Sequence, residues 1–110
     1  MSRYLLLSKY SAAGAAGARA DGYTTREAEG GKLVKALGGS VESWMWLDWA
    51  DWDFALVVVL PDREALLRLA ALSSASGAFA RTYASEIVDG ATMDRAGANA
   101  GDWRPPGQAH

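Results

Sequence analysis

Four of the chain's five tryptophans, Trp44, Trp46, Trp49 and Trp52, fall in one short stretch together with three carboxylates, Asp48, Asp51 and Asp53. Indole rings are large apolar surfaces with electron-rich faces. They can pack a subunit interface, wall a pocket for an aromatic or polycyclic ligand, or cage a cation with the carboxylates beside them. A carboxyl held among indoles is disfavoured in its charged form, so its pKa should rise above the usual value of about 3.9. Asp53 or Asp48 could then act as a general acid or base. The plainer reading makes Asp51 an exposed turn residue and Asp53 the cap of a hairpin. The spacing of the three fits no calcium loop, and no metal site is expected. Tyr10, Arg81 and Tyr83, with Lys9, stand near strand ends. They could line the same space, or simply bond to backbone and solvent at its rim.

Composition removes many other chemistries. The chain of 110 residues has no cysteine, so thiol nucleophiles, disulfides and most structural zinc sites are out. Its one histidine is the terminal His110, a poor position for a general base. Eleven basic and 13 acidic residues give a net charge of -2, which argues against nucleic-acid binding. No apolar run is long enough to span a bilayer, and Leu5-Leu6-Leu7 is too short for a signal-peptide core. A cytoplasmic protein without a cofactor is expected. Half of the residues are hydrophobic, enough for one folded domain. So small a domain often gains stability by oligomerising.

The elements that must position the Trp/Asp cluster follow from pattern. Arg3 to Tyr10 reads as a strand. Ser11 to Ala20, almost all Ala and Gly, can hold a turn or two of weak helix. Thr24 and Glu27 have the form of a capping box for a helix to Leu37, with Ala28, Leu33, Val34 and Leu37 inward and Gly38-Gly39 as the stop. Strands are expected over Val41 to Asp48 and Asp53 to Leu60. Asp62 should cap a helix over Arg63 to Ser76, with Leu66, Leu69, Ala70 and Leu72 buried and Gly77 ending it. Ala78 to Val88 is the last strand, and Ala91 to Ala96 allows one helical turn. The order strand-helix-strand-strand-helix-strand is the α+β, ferredoxin-like split βαβ pattern, with both helices on one face of an antiparallel sheet. The domain is taken as residues 1–96, with 97–110 a C-terminal tail anchored by Trp103, its one large apolar residue.

If Ala50-Asp51 form a two-residue hairpin loop, Asp48 lies opposite Asp53, a destabilising like-charge pair. Strict alternation then puts Val41, Met45, Leu47, Phe54, Leu56, Val58 and Leu60 under the helices. It puts Glu42, Trp44, Trp46, Asp48, Asp53, Ala55, Val57 and Val59 on the open face. That face is too apolar for water and calls for a cover. The natural cover is the same face of a second copy, which would make a dimeric α+β barrel.

Arg3-Tyr4-Leu5-Leu6-Leu7-Ser8-Lys9-Tyr10, Leu37-Gly38-Gly39-Ser40-Val41-Glu42-Ser43, and Trp52-Asp53 running into Val57-Val58-Val59-Leu60-Pro61-Asp62 resemble the GYD family of small ferredoxin-like proteins. The family's Gly-x-Tyr-Asp turn is Ala50-Asp51-Trp52-Asp53 here: the Asp is kept, and Gly and Tyr become Ala and Trp. The resemblance spans about residues 2 to 96. It implies the fold and similarity to dimeric α+β barrel proteins, and it carries no catalytic residue with it. Three functions fit. The first is a homodimer or larger homo-oligomer binding a small aromatic or cationic molecule in a cavity between the open face and its partner, lined by Trp44, Trp46, Trp49, Trp52, Tyr10, Arg81 and Tyr83. The second is a cofactor-free cyclase, isomerase or oxygenase using Asp53 or Asp48. The third is a purely structural homo-oligomeric module.

Overall fold

The computed structural model describes residues 1–48 and 51–107. Strand β1 (Ser2–Tyr10) is followed by α1 (Ala12–Asp21), α2 (Tyr23–Ala36), β2 (Ser40–Trp46), β3 (Phe54–Leu60), α3 (Arg63–Ser76), β4 (Phe79–Ile87) and α4 (Gly90–Ala98). The sheet order is β2-β3-β1-β4, and every neighbouring pair is antiparallel. This is the ferredoxin-like arrangement expected from the element order.

The alanine-rich segment is a full helix rather than a turn or two. Ser11 caps α1: its hydroxyl accepts from the Gly14 N–H, while its own N–H donates to the Ala78 carbonyl. A Cβ at Gly14 would run into that same carbonyl oxygen, so glycine is what lets α1 lie against the start of β4. The Thr24–Glu27 capping box does not form. The cap of α2 is Gly22, at φ 94°, and no side chain bonds there. Val34 and Leu37 face inward as expected, with Gly30 beside them, while Ala28 and Leu33, expected inside, are exposed. Helix α3 has the expected bounds. Asp62 accepts from the Ala65 N–H at 2.9 Å, and Gly77 closes the helix in the left-handed region at φ 72°. Its most buried residue is Ala65. Leu66 and Leu69 are half-buried, while Ala70 and Leu72, expected inside, are exposed because α3 stands off the sheet across a cleft.

The core joins Tyr4, Phe54, Leu56, Val58 and Leu60 of the sheet to Val34 of α2 and Ala65 of α3. Phe54, Leu56, Val58 and Leu60 therefore face the helices as alternation requires. Strand β2 departs from its expected register. Trp46 pairs with Phe54, Met45 with Ala55 and Trp44 with Leu56. A bulge lies between Val41 and Ser43, so two residues oppose one and the alternation changes phase at Glu42. Val41 stays on the core side, but beyond the bulge Trp44 and Trp46 turn under the helices and Met45 turns out. The open face is then built from Leu5 and Leu7, Met45, Ala55, Val57 and Val59, and Tyr83 and Ile87. Arg3 and Glu42 form a bidentate pair at its edge, 2.8 Å at the closest.

Helix α4 is longer than the single turn expected, capped by Asp89 accepting from the Thr92 N–H, and it buries no residue. Trp103 is 78% exposed, so it does not anchor the tail. One indole among Gly, Pro and charged neighbours has no apolar surface of its own segment to pack on. The described chain is elongated, 60 × 32 × 25 Å, with a radius of gyration of 17.6 Å. No described helix is long and apolar enough to cross a membrane.

Candidate functional site

The seven expected ligand-contacting residues divide between the two sides of the sheet. Trp44, Trp46 and Tyr10 belong to the helix side. Trp44 stacks on Phe54 with centroids 5.0 Å apart and planes 19° apart, and Trp46 meets Phe54 and Tyr23 edge-on. Tyr10 stacks on Phe79 at 5.5 Å. The Trp44 ring lies against the backbone of α2 at Gly30, so no larger residue fits there without moving it. The indole N–H groups of Trp44 and Trp46 are buried without a hydrogen-bond partner. Their surroundings are mostly other rings, whose π faces make only weak acceptors. The expectation that Trp44 and Trp46 look toward a partner subunit is thus overturned, and the cause is the bulge at Glu42.

Trp52, Arg81 and Tyr83 form a separate group on the open face, at the end of the sheet where Lys9 pairs with Arg81 and Leu7 with Tyr83. The Arg81 guanidinium lies 4.7 Å from the Trp52 ring centroid and donates to the Asp51 carbonyl. Tyr83 approaches Trp52 at 6.5 Å. Trp49 lies outside the described residues.

The like-charge pair does not form either. Ala50 of the expected Ala50-Asp51 loop lies outside the described residues; Trp46 pairs with Phe54, and it is Leu47, not Asp48, that stands opposite Asp53, its N–H reaching the Asp53 carbonyl. Asp53 is a pin between this segment and β1. Its carboxylate accepts from the Tyr10 N–H at 2.8 Å and from Lys9 at 3.4 Å, and its own N–H donates to the Ser8 carbonyl. Asp48 is exposed. Both carboxylates line a hollow of about 460 Å³ with Tyr10, Tyr23 and Trp46. Among the described residues no three carboxylate or imidazole groups cluster closely enough to hold a metal ion.

The larger space is a cleft of about 640 Å³ between α1–α2 and α3, floored by the sheet. Its floor includes Leu6, Phe54, Leu56 and Phe79, and its walls include Trp44, Val34 and Leu66. It exists because the facing side of α1 carries Ala13, Gly14, Gly17 and Ala18, which are too small to fill it. A Cβ at Gly17 would meet nothing within 4 Å. The charged residues lining the cleft are Asp21, Arg26 and Arg63. Arg26 pairs with Asp21 at 3.4 Å and interacts with the Tyr10 hydroxyl. Burial is the main cause pushing the Tyr10 phenol above its ordinary value of 10.0. Asp53 and Tyr23 push the same way, and Arg26 opposes them. Sequence reasoning missed Arg26, Gly17 and the cleft itself. The available signal was the run from Ala12 to Ala20: a helix without one large apolar residue cannot close the gap beside it.

The GYD domain family model matches residues 4–97. No curated protein and no solved structure matches the chain.

Proposed function

The chain belongs to the GYD domain family, and from that premise we propose that it is a small-molecule-binding protein whose ligand occupies the cleft between its helices and its sheet. The observation that carries this reading is the cleft, at about 640 Å³. Ligand sites of about 300–1,000 Å³ are typical, and they are apolar with a few polar groups at fixed places. Here the lining is mostly aliphatic and aromatic, and Tyr10, Ser8 and Arg26 supply the polar points. A homodimer joined through the open face accompanies this reading. Leu5, Leu7, Val57, Val59, Met45 and Tyr83 make that face apolar, and a second copy offers the matching surface. Trp52 and Arg81 would then lie at the mouth of a barrel between the subunits. The cofactor-free enzyme reading needs a carboxylate free to exchange a proton with a ligand. Asp53 is committed to the Tyr10 N–H and Lys9, which favours binding over catalysis.

The test fills the cleft without disturbing the fold. Gly17→Leu projects a side chain into open space and also replaces a mid-helix glycine, so stability should be unchanged or higher. Saturable binding of phenylnaphthylamine, an uncharged fluorescent aromatic, is expected for the natural chain and is lost in Gly17→Leu. Equal binding by both would remove the cleft as the site. Light scattering reads the dimer directly, and Val57→Lys on the open face should halve the mass while leaving probe binding intact.

A further inference from the structure

Resting on the cleft as the binding site, we propose that its ligand is an apolar organic acid, with its anionic group against Arg26 and its hydrocarbon or aromatic body over Phe54, Phe79 and Leu66. The charge balance of the lining points this way: two guanidinium groups, Arg26 and Arg63, against one carboxylate, Asp21. A guanidinium offers five N–H donors. Among the described residues Arg26 has the Asp21 carboxylate at 3.4 Å and the Tyr10 hydroxyl, too few acceptors to use them. The Asp21 contact is also long for a charge-assisted hydrogen bond, which is ordinarily about 2.7–2.9 Å. Its two side chains are 39% and 50% exposed, so the pair is loosely held and open to exchange.

The position of Arg26 adds a second reason. It lies in the first turn of α2, where no acidic residue stands and no side chain bonds at the cap. A cation at the positive end of a helix dipole is locally unfavourable; Asp21, just before the cap, offsets this only through its 3.4 Å pair, and a further anion beside Arg26 relieves it more. Tyr10 completes the arrangement. Burial favours its protonated phenol, and a protonated phenol can turn its O–H toward an anion's oxygen. Away from Arg26 the lining is mostly rings and leucines, with Thr82 and the Ser73 and Ser76 of α3 among them, and it accepts an apolar body. The chemistry recognised is a single compact anion on a flat or chain-like apolar frame.

A matched pair of probes tests this: phenylnaphthylamine, and anilinonaphthalene sulfonate, which is the same frame carrying one anion. Only binding that Gly17→Leu removes is counted, so attachment to the open face does not enter. The natural chain should bind the sulfonate at least about tenfold more tightly than the neutral probe. Arg26→Gln should erase most of that preference while leaving the neutral probe within about twofold, which also shows that the variant is folded. Arg26→Lys should restore part of it, and Arg63→Gln, which removes the second guanidinium of the lining, should weaken the preference less than Arg26→Gln does. Equal affinity of the natural chain for the two probes, or an unchanged ratio in Arg26→Gln, overturns the proposal and leaves the cleft standing. If neither probe binds, the cleft reading fails and the proposal falls with it.

Discussion

Alanine substitution at two adjacent glycines of α2 should change stability in opposite directions. Gly31 is in open space: a Cβ there would meet nothing within 4 Å. Gly31→Ala should gain the ordinary helix-propensity difference, about 0.5–1 kcal/mol. At Gly30 a Cβ would fall 2.5 Å from Cζ3 and 2.8 Å from Cη2 of Trp44. Carbon atoms prefer about 3.5–4.0 Å, so the indole must retreat by roughly 1 Å. It has little room, because Phe54 stacks behind it at 5.0 Å and is itself only 4% exposed, with Trp46 alongside at 5.5 Å. Overpacking of this kind costs about 1–3 kcal/mol. After the propensity gain, Gly30→Ala should be destabilised by up to about 2.5 kcal/mol. For a domain of this size 1 kcal/mol moves Tm by about 4 °C. Thermal unfolding followed by circular dichroism, at one protein concentration for all variants, resolves both shifts. If Gly30→Ala rises in Tm as much as Gly31→Ala, Trp44 does not lie under α2. The phase change at Glu42 would then be wrong, and the strict alternation of β2 restored.

Two other expectations bear on the site. Asp53→Ala removes the acceptor of the Tyr10 N–H and the partner of Lys9, and should cost about 1–3 kcal/mol in chemical denaturation. Asp48→Ala, at an exposed position, should stay within about 0.5 kcal/mol, and equal losses in the two would revive a coupled pair. The raised pKa of Tyr10 gives a pH dependence with a definite sign. Above the unfolded value of 10.0 the unfolded chain releases this proton more readily than the folded one, so stability is present below that pH and falls above it. Tyr10→Phe should therefore flatten the alkaline limb of a Tm-against-pH curve, and an identical limb in the variant would show that burial of Tyr10 contributes nothing to it.

What could be read in the sequence was set by how local the determinants were. Helix α3 was legible to its ends because Asp62 and Gly77 mark them by their own chemistry, a carboxylate cap and a left-handed stop. The inward side of β3 was legible because a strand without bulges keeps a period of two. Strand β2 defeated the same rule through one extra residue. Glu42 carries no local mark of a bulge, and its ion pair with Arg3 spans 39 positions of sequence. Once the phase was lost, Trp44 and Trp46 went to the wrong face, and with them the cavity they were to line. Asp53 looked like an acid–base candidate because its neighbours in sequence are tryptophans. Its bonding partners are in β1, and only the closed sheet brings them to it. The cleft arises from side chains that are missing at Ala13, Gly14 and Gly17, and absent volume leaves no periodicity to detect.

The elongation of the chain bears on how its assembly can be measured. By the usual scaling a compact chain of this length has a radius of gyration of about 13 Å. The observed 17.6 Å is what a compact protein of about 240 residues would show, which is more than two copies. A gel-filtration column calibrated with globular standards sorts by hydrodynamic size, so this elongation would make a single chain elute early, in the direction of a dimer. A true dimer, in turn, would run ahead of its own mass. Elution volume therefore confounds shape with stoichiometry for this protein. A method that weighs the particle, or the ratio of sedimentation to diffusion, separates the two.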